Sequence, residues 1–360
     1  MSYIIDTTFQ LPLRPRPISI IGAGAIVQDA HLPAYRKAGW SVEQLYDLNQ
    51  DKAQQVAGRF GIPTVADSIE QLIEQALPDA VFDIAVPASA LPVILPLLPE
   101  RSIIMIQKPF GETLGEARQL LCICEQRQFM ASVNMQMKFI PSVIAAKNLI
   151  AQGAIGELHD LEIRMNIDHP WQLWTFLFGL PRMEMLYHSI HYMDLLKYFF
   201  GMPKAVYAKT MQHPHQMQLA STRSVIIFDY DRPVRAFINT NHGHAFGTRH
   251  QDSFIKWEGT HGAIKTTLGL NINFPDGVAD TFEYVVLDEG QSPEWQSAHL
   301  AGSWYPDAFI GSMADLLCFA EGSSPHHITS VAEAVNTMQL VEAAYLSSDS
   351  GGISLDSFTA

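Results

Sequence analysis

At 360 residues the chain is long for one hydrophobic core, so two domains are the expected arrangement. Its 48% apolar and 17% charged residues describe a folded soluble protein and exclude a disordered one, and a formal net charge of −14 opposes partnership with nucleic acid or an anionic membrane surface. No apolar run reaches the roughly 18 residues that span a bilayer. Met1 to Pro17 lacks a secretory-signal layout, and three cysteines offer no disulfide framework, so a cytoplasmic setting with reduced thiols is expected.

Residues 18 to 106 alternate short apolar runs with helix-like stretches. Ser19-Ile20-Ile21 leads into the glycine turn Gly22-Ala23-Gly24, and a helical stretch follows through Leu32, Tyr35 and Ala38. Val42 to Tyr46 reads as a strand closed by Asp47, and Ala53 to Phe60 as a helix stopped by Gly61-Ile62-Pro63. Val81 to Val86, ended by Pro87, and Ile103 to Ile106 read as two further strands. Strands alternating with helices argue for a parallel, doubly wound sheet of the Rossmann type. Cys122 and Cys124 lie on a probable helix and read as core fillers, not as a metal clip.

From about residue 157 the texture changes. Leu158 to Asn166, Ala205 to Met211, Ser224 to Tyr230, Val234 to Thr240, Phe254 to Glu258, Ala263 to Thr267 and Phe282 to Leu287 all read as strands. Residues 229 to 233 and 258 to 262 carry turn chemistry. The expectation is an α+β second domain with a large, open, mainly antiparallel sheet, closed by helical stretches at 308 to 319 and 330 to 346. The domains are expected at 1–135 and 136–360.

Gly22, Gly24 and the following Ala25 and Ile26 match the first two glycines of a dinucleotide turn and the start of its helix. The third glycine position holds Val27. Asp47, about 20 residues further on at a strand end, is placed to accept both ribose hydroxyls. Leu48 and Asn49 bring no arginine for a 2′-phosphate, so NAD is favoured over NADP.

Two later segments carry the chemistry. Ile106-Gln107-Lys108-Pro109 puts an ammonium at a strand's C-terminal end, where open α/β sheets place ligands. The spacing predicts a helix on which Tyr187, His191 and Asp194 fall on one face at i, i+4 and i+7, with Glu184 and His188 nearby. Oxidising an alcohol requires a base near neutrality, which histidine provides, and a cation that lowers the hydroxyl's pKa.

The glycine turn, the strand ending in Pro87, Gln107-Lys108-Pro109, Lys138-Phe139-Ile140-Pro141, residues 150 to 157, the His191 to Asp194 segment and Gly201-Met202-Pro203 occur in order. The set resembles the glucose–fructose oxidoreductase / inositol dehydrogenase (Gfo/Idh/MocA) family over residues 17 to 357. The resemblance implies a Rossmann domain, an antiparallel second domain, and a nicotinamide stacked near Lys108, with Pro87 and Gln107 beside it. Gln107 stands where the family commonly has Glu, and Tyr187 where it often has Asp. His191 is the expected base, Lys108 the stabiliser of the reacting oxygen, and Tyr187 a further donor. Asp194, His188, Lys138, Trp174 and His244 are candidate substrate contacts; Trp171 and Phe176 read as packing, and His213 and His215 as exposed loop residues.

The expected activity is NAD-dependent hydride transfer at a secondary hydroxyl of a sugar, sugar derivative or cyclitol. No metal is expected, and the protein is expected to form a homodimer or homotetramer through its C-terminal sheet. A redox-assisted glycoside-cleaving enzyme that retains NAD, and a non-catalytic nucleotide-binding regulator, remain as alternatives.

Overall fold

The computed structural model describes residues 3–287, 290 and 292–353. The chain divides into two compact units, one of residues 6–144 with 301–338, the other of residues 1–5, 145–300 and 339–360. Each is described by itself.

In chain order, the first part comprises β1 (Ile18–Ile21), α1 (Leu32–Ala38), β2 (Val42–Tyr46), α2 (Gln50–Phe60), β3 (Thr64–Val65), α3 (Ile69–Gln75), β4 (Val81–Ile84), α4 (Leu91–Ile94), β5 (Ile103–Ile106), α5 (Leu114–Gln126) and β6 (Met130–Val133). The six strands form one parallel sheet in the order β3-β2-β1-β4-β5-β6. This is the doubly wound order in which ligands bind where neighbouring strands depart in opposite directions, here at the ends of β1 and β4. Sequence periodicity located β1, β2, β4 and β5; the two-residue β3 and the partly polar β6 escaped it.

Both strands at that junction are buried along their length, as parallel strands covered by helices should be. Ile18, Ile20 and Leu45 pack with Val27, Tyr35 and Val56 in one apolar cluster. Phe309, Met313 and Leu316, from α8 (Phe309–Ala320) near the chain's end, belong to the same cluster. Cys124 is buried as expected, but Cys122, two residues away on α5, is exposed, because a two-residue step on a helix turns the side chain to the other face.

Asp83 interrupts the apolar run of β4 with a fully buried carboxylate. One of its oxygens accepts from the Tyr35 hydroxyl and the His31 ring, each at 2.7 Å, and the far ring nitrogen of His31 lies 3.2 Å from the Asn134 amide. Burial, together with the neighbouring carboxylate, holds the Tyr35 phenol well above its ordinary pKa. His31 ends a π-helical turn, Val27–His31, that runs from the glycine turn into α1. The network therefore ties the segment following the turn to the strand beside it.

The rest comprises α6 (Pro141–Ala151), β7 (Leu158–Asn166), α7 (Ile190–Phe200), β8 (Ala205–Met211), β9 (Arg223–Asp229), β10 (Arg235–Asn241), β11 (Asp252–Gly259), β12 (Gly262–Thr267), β13 (Thr281–Val286), β14 (Gln296–Ser297), and α9 (Val331–Ser350) after α8. The eight strands order as β14-β13-β12-β11-β7-β10-β9-β8. All pairings are antiparallel except β7 with β10. Alternate residues such as Ile163, Ile226, Ile238, Ile255 and Trp257 are fully buried, while Val225 and Ile227 face outward at 41% and 48% exposure. The period-two pattern that made these strands legible is thus the two faces of the sheet. Phe199 of α7 packs its ring 5.5 Å from that of Trp257.

Asp83→Leu should leave the Tyr35 and His31 donors buried without their acceptor, at about 1–3 kcal/mol per stranded group. Urea unfolding followed by circular dichroism should show a lowered midpoint; an unchanged midpoint would contradict the role given to this carboxylate.

Candidate functional site

The glycine turn leaves β1 with Gly22 at φ 112°, in the left-handed region. A Cβ there would stand 2.3 Å from the Ala85 carbonyl oxygen, so only glycine permits β1 and the end of β4 to approach this closely. At Gly24 a Cβ would meet nothing within 4 Å, so the space above the turn is open. The backbone then winds into a helix from Ala25 and Ile26. An open, side-chain-free turn at a helix N-terminus fits a pyrophosphate.

Asp47 sits one residue past β2. Its Oδ2 accepts from the Ala23 N–H at 2.7 Å and its Oδ1 from the Asn49 N–H at 2.9 Å. The carboxylate therefore braces the glycine turn from the neighbouring strand, and Lys52 Nζ lies 3.9 Å from Oδ2. Asn49 caps α2 by accepting from the Lys52 N–H. Pro87 begins the loop after β4, its carbonyl accepting from the Ala90 N–H.

At the end of β5 the Gln107 N–H donates to the Ile84 carbonyl, and its side-chain oxygen accepts from the Lys108 N–H at 2.9 Å. An amide in place of a carboxylate at 107 keeps this acceptor without adding a charge beside the lysine. The Lys108–Pro109 peptide is cis. Burial lowers the Lys108 ammonium from its ordinary value to about 8. Lys138 is almost fully buried in the same unit, where its Nζ donates to the Ile328 carbonyl at 3.0 Å.

In the antiparallel-sheet unit, the helix predicted through Tyr187 and Asp194 divides into a π-helical turn, Glu184–Ser189, followed by α7. His191 and Asp194 share the regular α7 winding. Tyr187 and His188 lie in the wider turn, where the i, i+4 spacing no longer stacks residues on one face. Tyr187, His191 and Asp194 are all buried. Asp194 Oδ1 lies 3.4 Å from Lys197 Nζ, a buried pair one turn apart that sequence reading did not anticipate. Tyr187 packs its ring 5.8 Å from Phe176.

Glu184 anchors the π-turn from below. Burial acts to raise its carboxyl, but the bonds from His242, Ser189 and Ser224 outweigh that and hold it below the ordinary value. Ser189 Oγ donates at 2.7 Å, His242 Nε2 lies at 3.2 Å, and Ser224 Oγ also donates. Above this pair the His188 ring lies 4.9 Å from His242 and 4.7 Å from His169. His169 in turn stacks on Trp174 at 4.8 Å with 12° between the planes, and meets Trp171 edge-on at 4.4 Å. Of the residues expected to contact substrate, His188 and Trp174 thus belong to one ring cluster. His244 stands beside Asn166 at 3.3 Å and Phe246 at 5.5 Å. His169 was not singled out from the sequence, and Glu184 was named there only as a neighbour of Tyr187, His191 and Asp194. A histidine just past a strand end and an acid three residues before Tyr187 were the available signals.

Comparison with known proteins bears on this arrangement. The sequence profile of an oxidoreductase family with an NAD-binding Rossmann fold matches residues 17–135, and that of the GFO/IDH/MocA C-terminal domain matches residues 143–265. D-apiose dehydrogenase of Paraburkholderia graminis is 22% identical over 341 residues, covering 92% of this chain and 88% of that protein. YceM of Salmonella typhimurium, named as an oxidoreductase, is 32% identical over 130 residues; the match spans 36% of this chain and only 41% of YceM. Among solved structures, an oxidoreductase from Agrobacterium radiobacter in complex with NAD+, L-tartaric acid and magnesium shares the fold with a TM-score of 0.76 at 20% identity, over 96% of this chain and 100% of that one. Levoglucosan dehydrogenase in complex with NADH and levoglucosan does so with a TM-score of 0.74 at 18% identity, over 94% and 98%. With a parallel sheet carrying a glycine turn and an eight-stranded, mostly antiparallel sheet behind it in sequence, the chain belongs to the Gfo/Idh/MocA family of NAD-binding oxidoreductases.

Proposed function

We propose that this oxidoreductase removes hydride from a secondary hydroxyl of a sugar, sugar derivative or cyclitol, using NAD in preference to NADP. The observation that carries the reading is Lys108, an ammonium just past the end of β5, an inner strand of the parallel sheet, whose burial lowers its pKa to about 8. A desolvated cation of this kind stabilises oxygen as negative charge develops on it. D-apiose and galactose dehydrogenases among the relatives support the substrate class.

Bound NAD supplies the hydride acceptor. Gly22, Gly24, Ala25 and Ile26 would hold its pyrophosphate, Asp47 its adenosine ribose, and Pro87 and Gln107 the loops beside its nicotinamide. Lys108 holds the substrate oxygen and lowers its pKa. His191 is proposed as the group that takes the hydroxyl proton, and Tyr187 as a further donor where the resemblance leads one to expect a carboxylate. Asp194, His188, Lys138, Trp174 and His244 are the proposed substrate contacts. Asp194 also pairs with Lys197 one turn along its own helix, and Lys138 Nζ donates to the Ile328 carbonyl.

Asp47 favours NAD because a carboxylate repels a 2′-phosphate; the bond from the Ala23 N–H fixes that carboxylate beside the glycine turn. Three free cysteines, Cys122, Cys124 and Cys318, support a cytoplasmic setting. Among the described residues no helix is long and apolar enough to cross a membrane. The outward Tyr207, Val225 and Ile227 of β8 and β9 support self-association through the sheet, as a homodimer or homotetramer.

Incubation with NAD and a panel of sugars and cyclitols should generate NADH with at least one; no signal with any would count against the reading. Lys108→Met should lower kcat by about 10²–10³, the cost of one lost oxyanion donor. The charge on Lys108 is present below its pKa of about 8 and lost above it, so kcat/KM should fall on the alkaline side near that pH. Lys108→Arg, which stays charged, should move this fall upward, and an unmoved profile would remove the cation from the mechanism. Asp47→Ala should weaken NAD binding and narrow its advantage over NADP, as measured by the two dissociation constants; equal losses for both would take the discriminating role from Asp47.

A further inference from the structure

Between α8 and α9 the chain crosses residues 321–330, and at Ile328 and Thr329 it meets Asp315 of α8. The two oxygens of that carboxylate accept two successive backbone donors, Oδ1 the Ile328 N–H at 3.4 Å and Oδ2 the Thr329 N–H at 3.0 Å. Oδ2 also accepts from the Thr329 hydroxyl at 2.7 Å. On its other side the same segment lies against β6. The Val133 N–H donates to the Thr329 carbonyl at 2.8 Å, and Ser132 and Ser330 form an antiparallel bridge. The Thr329 hydroxyl oxygen stands 3.1 Å from Ser132 Oγ, which in turn is 2.6 Å from His327 Nε2. Thr329 and Ser132 are 1% and 0% exposed, so bulk water does not compete for these bonds.

The arrangement aims a carbonyl. The Ile328 C=O and the Thr329 N–H belong to one peptide plane, and in a trans peptide they point in opposite directions. With the N–H turned to Asp315 Oδ2, the carbonyl is turned away from it, and there it accepts from Lys138 Nζ at 3.0 Å. The peptide therefore stands between a carboxylate and an ammonium, polarised in the same sense by both, and each bond strengthens the other. A lysine ammonium is a point charge on a flexible stem, so its direction has to come from the groups it bonds. Lys138 is almost fully buried, and a carbonyl free to swing would not hold it.

We infer that Asp315 is a positioning residue: acting through the Ile328–Thr329 peptide, it holds the Lys138 ammonium in the orientation from which it meets the substrate. The inference rests on the reading of Lys138 as a substrate contact, and Asp315 itself touches no ligand.

Two readouts test it. The first needs no turnover. The full chain is acetylated with an N-hydroxysuccinimide ester, and the modified lysines are followed by mass spectrometry. Lys138 should react more slowly than Lys204, whose side chain is 63% exposed. Asp315→Ala, and Asp315→Asn, which offers one oxygen in place of two, should each speed Lys138 by about threefold or more and leave Lys204 unchanged. The second readout is kinetic, with whichever sugar or cyclitol yields NADH. Asp315→Ala should raise its KM by about three- to tenfold, the worth of one hydrogen bond, with a smaller effect on kcat. In a Lys138→Met background the same substitution should raise KM no further, because Asp315 then has nothing to position. Lys138 reacting as fast as Lys204 in the unaltered chain, an unchanged Lys138 rate in both variants, or additive KM rises in the double variant would overturn the proposal. Should Asp315→Ala unfold, Asp315→Asn and the unaltered chain still decide. Faster Lys138 acetylation without NADH from any compound would sink the dehydrogenase reading and leave the hold on Lys138 standing, whereas NADH formation with both readouts indifferent to Asp315 would do the reverse.

Discussion

The close approach of two parallel strands, possible only because Gly22 has no side chain, is the constraint on which the cofactor half of this protein depends. With the Ala85 carbonyl 2.3 Å from where a Cβ would stand, β1 and β4 are joined at their ends without a spacer. The sheet order places this junction in its middle, with β2 and β3 to one side and β5 and β6 to the other. Asp47, one strand over, completes the turn by accepting the Ala23 N–H. One carboxylate thus shapes the loop and, in the proposed function, meets the ribose.

The same unit has a second acid of another kind. Asp83 lies inside the sheet, paired in register with Ile20 of β1 and Met105 of β5, with the His31 ring 2.7 Å from its Oδ2. Its acceptance of two hydrogen bonds on one oxygen offsets part of the cost of burying charge. Because His31 lies in the π-helical turn that follows the glycines, the network transmits the rigidity of β4 to the segment that would face a pyrophosphate.

In the antiparallel-sheet unit the corresponding device is Glu184, buried beneath a π-helical turn and bound by two serine hydroxyls and His242. This carboxylate stands three positions before Tyr187, and its partners are protein groups, the Ser189 and Ser224 hydroxyls and the His242 ring. π-Turns often mark functional segments because they interrupt regular winding at a defined place. Both such turns discussed here sit beside the residues assigned to chemistry.

Periodicity and turn chemistry made the longer strands and the parallel or mainly antiparallel character of the two sheets legible, and an ordered set of short motifs carried the family resemblance. These rest on local signals, an alternation of buried and exposed side chains along β7 to β13 and a glycine pair followed at the right distance by Asp47. Short elements with little pattern, such as β3 and β14, were illegible for the same reason. The partners of the charged groups could not be read in this way. That Asp83 meets His31 and Tyr35 and that Glu184 meets His242 are facts of long-range contact, joining residues 48 to 58 positions apart, which only the folded chain decides. The lowered pKa of Lys108 is of the same kind, since its cause is the burial of an ammonium, and burial is a property of the tertiary structure rather than of the residue.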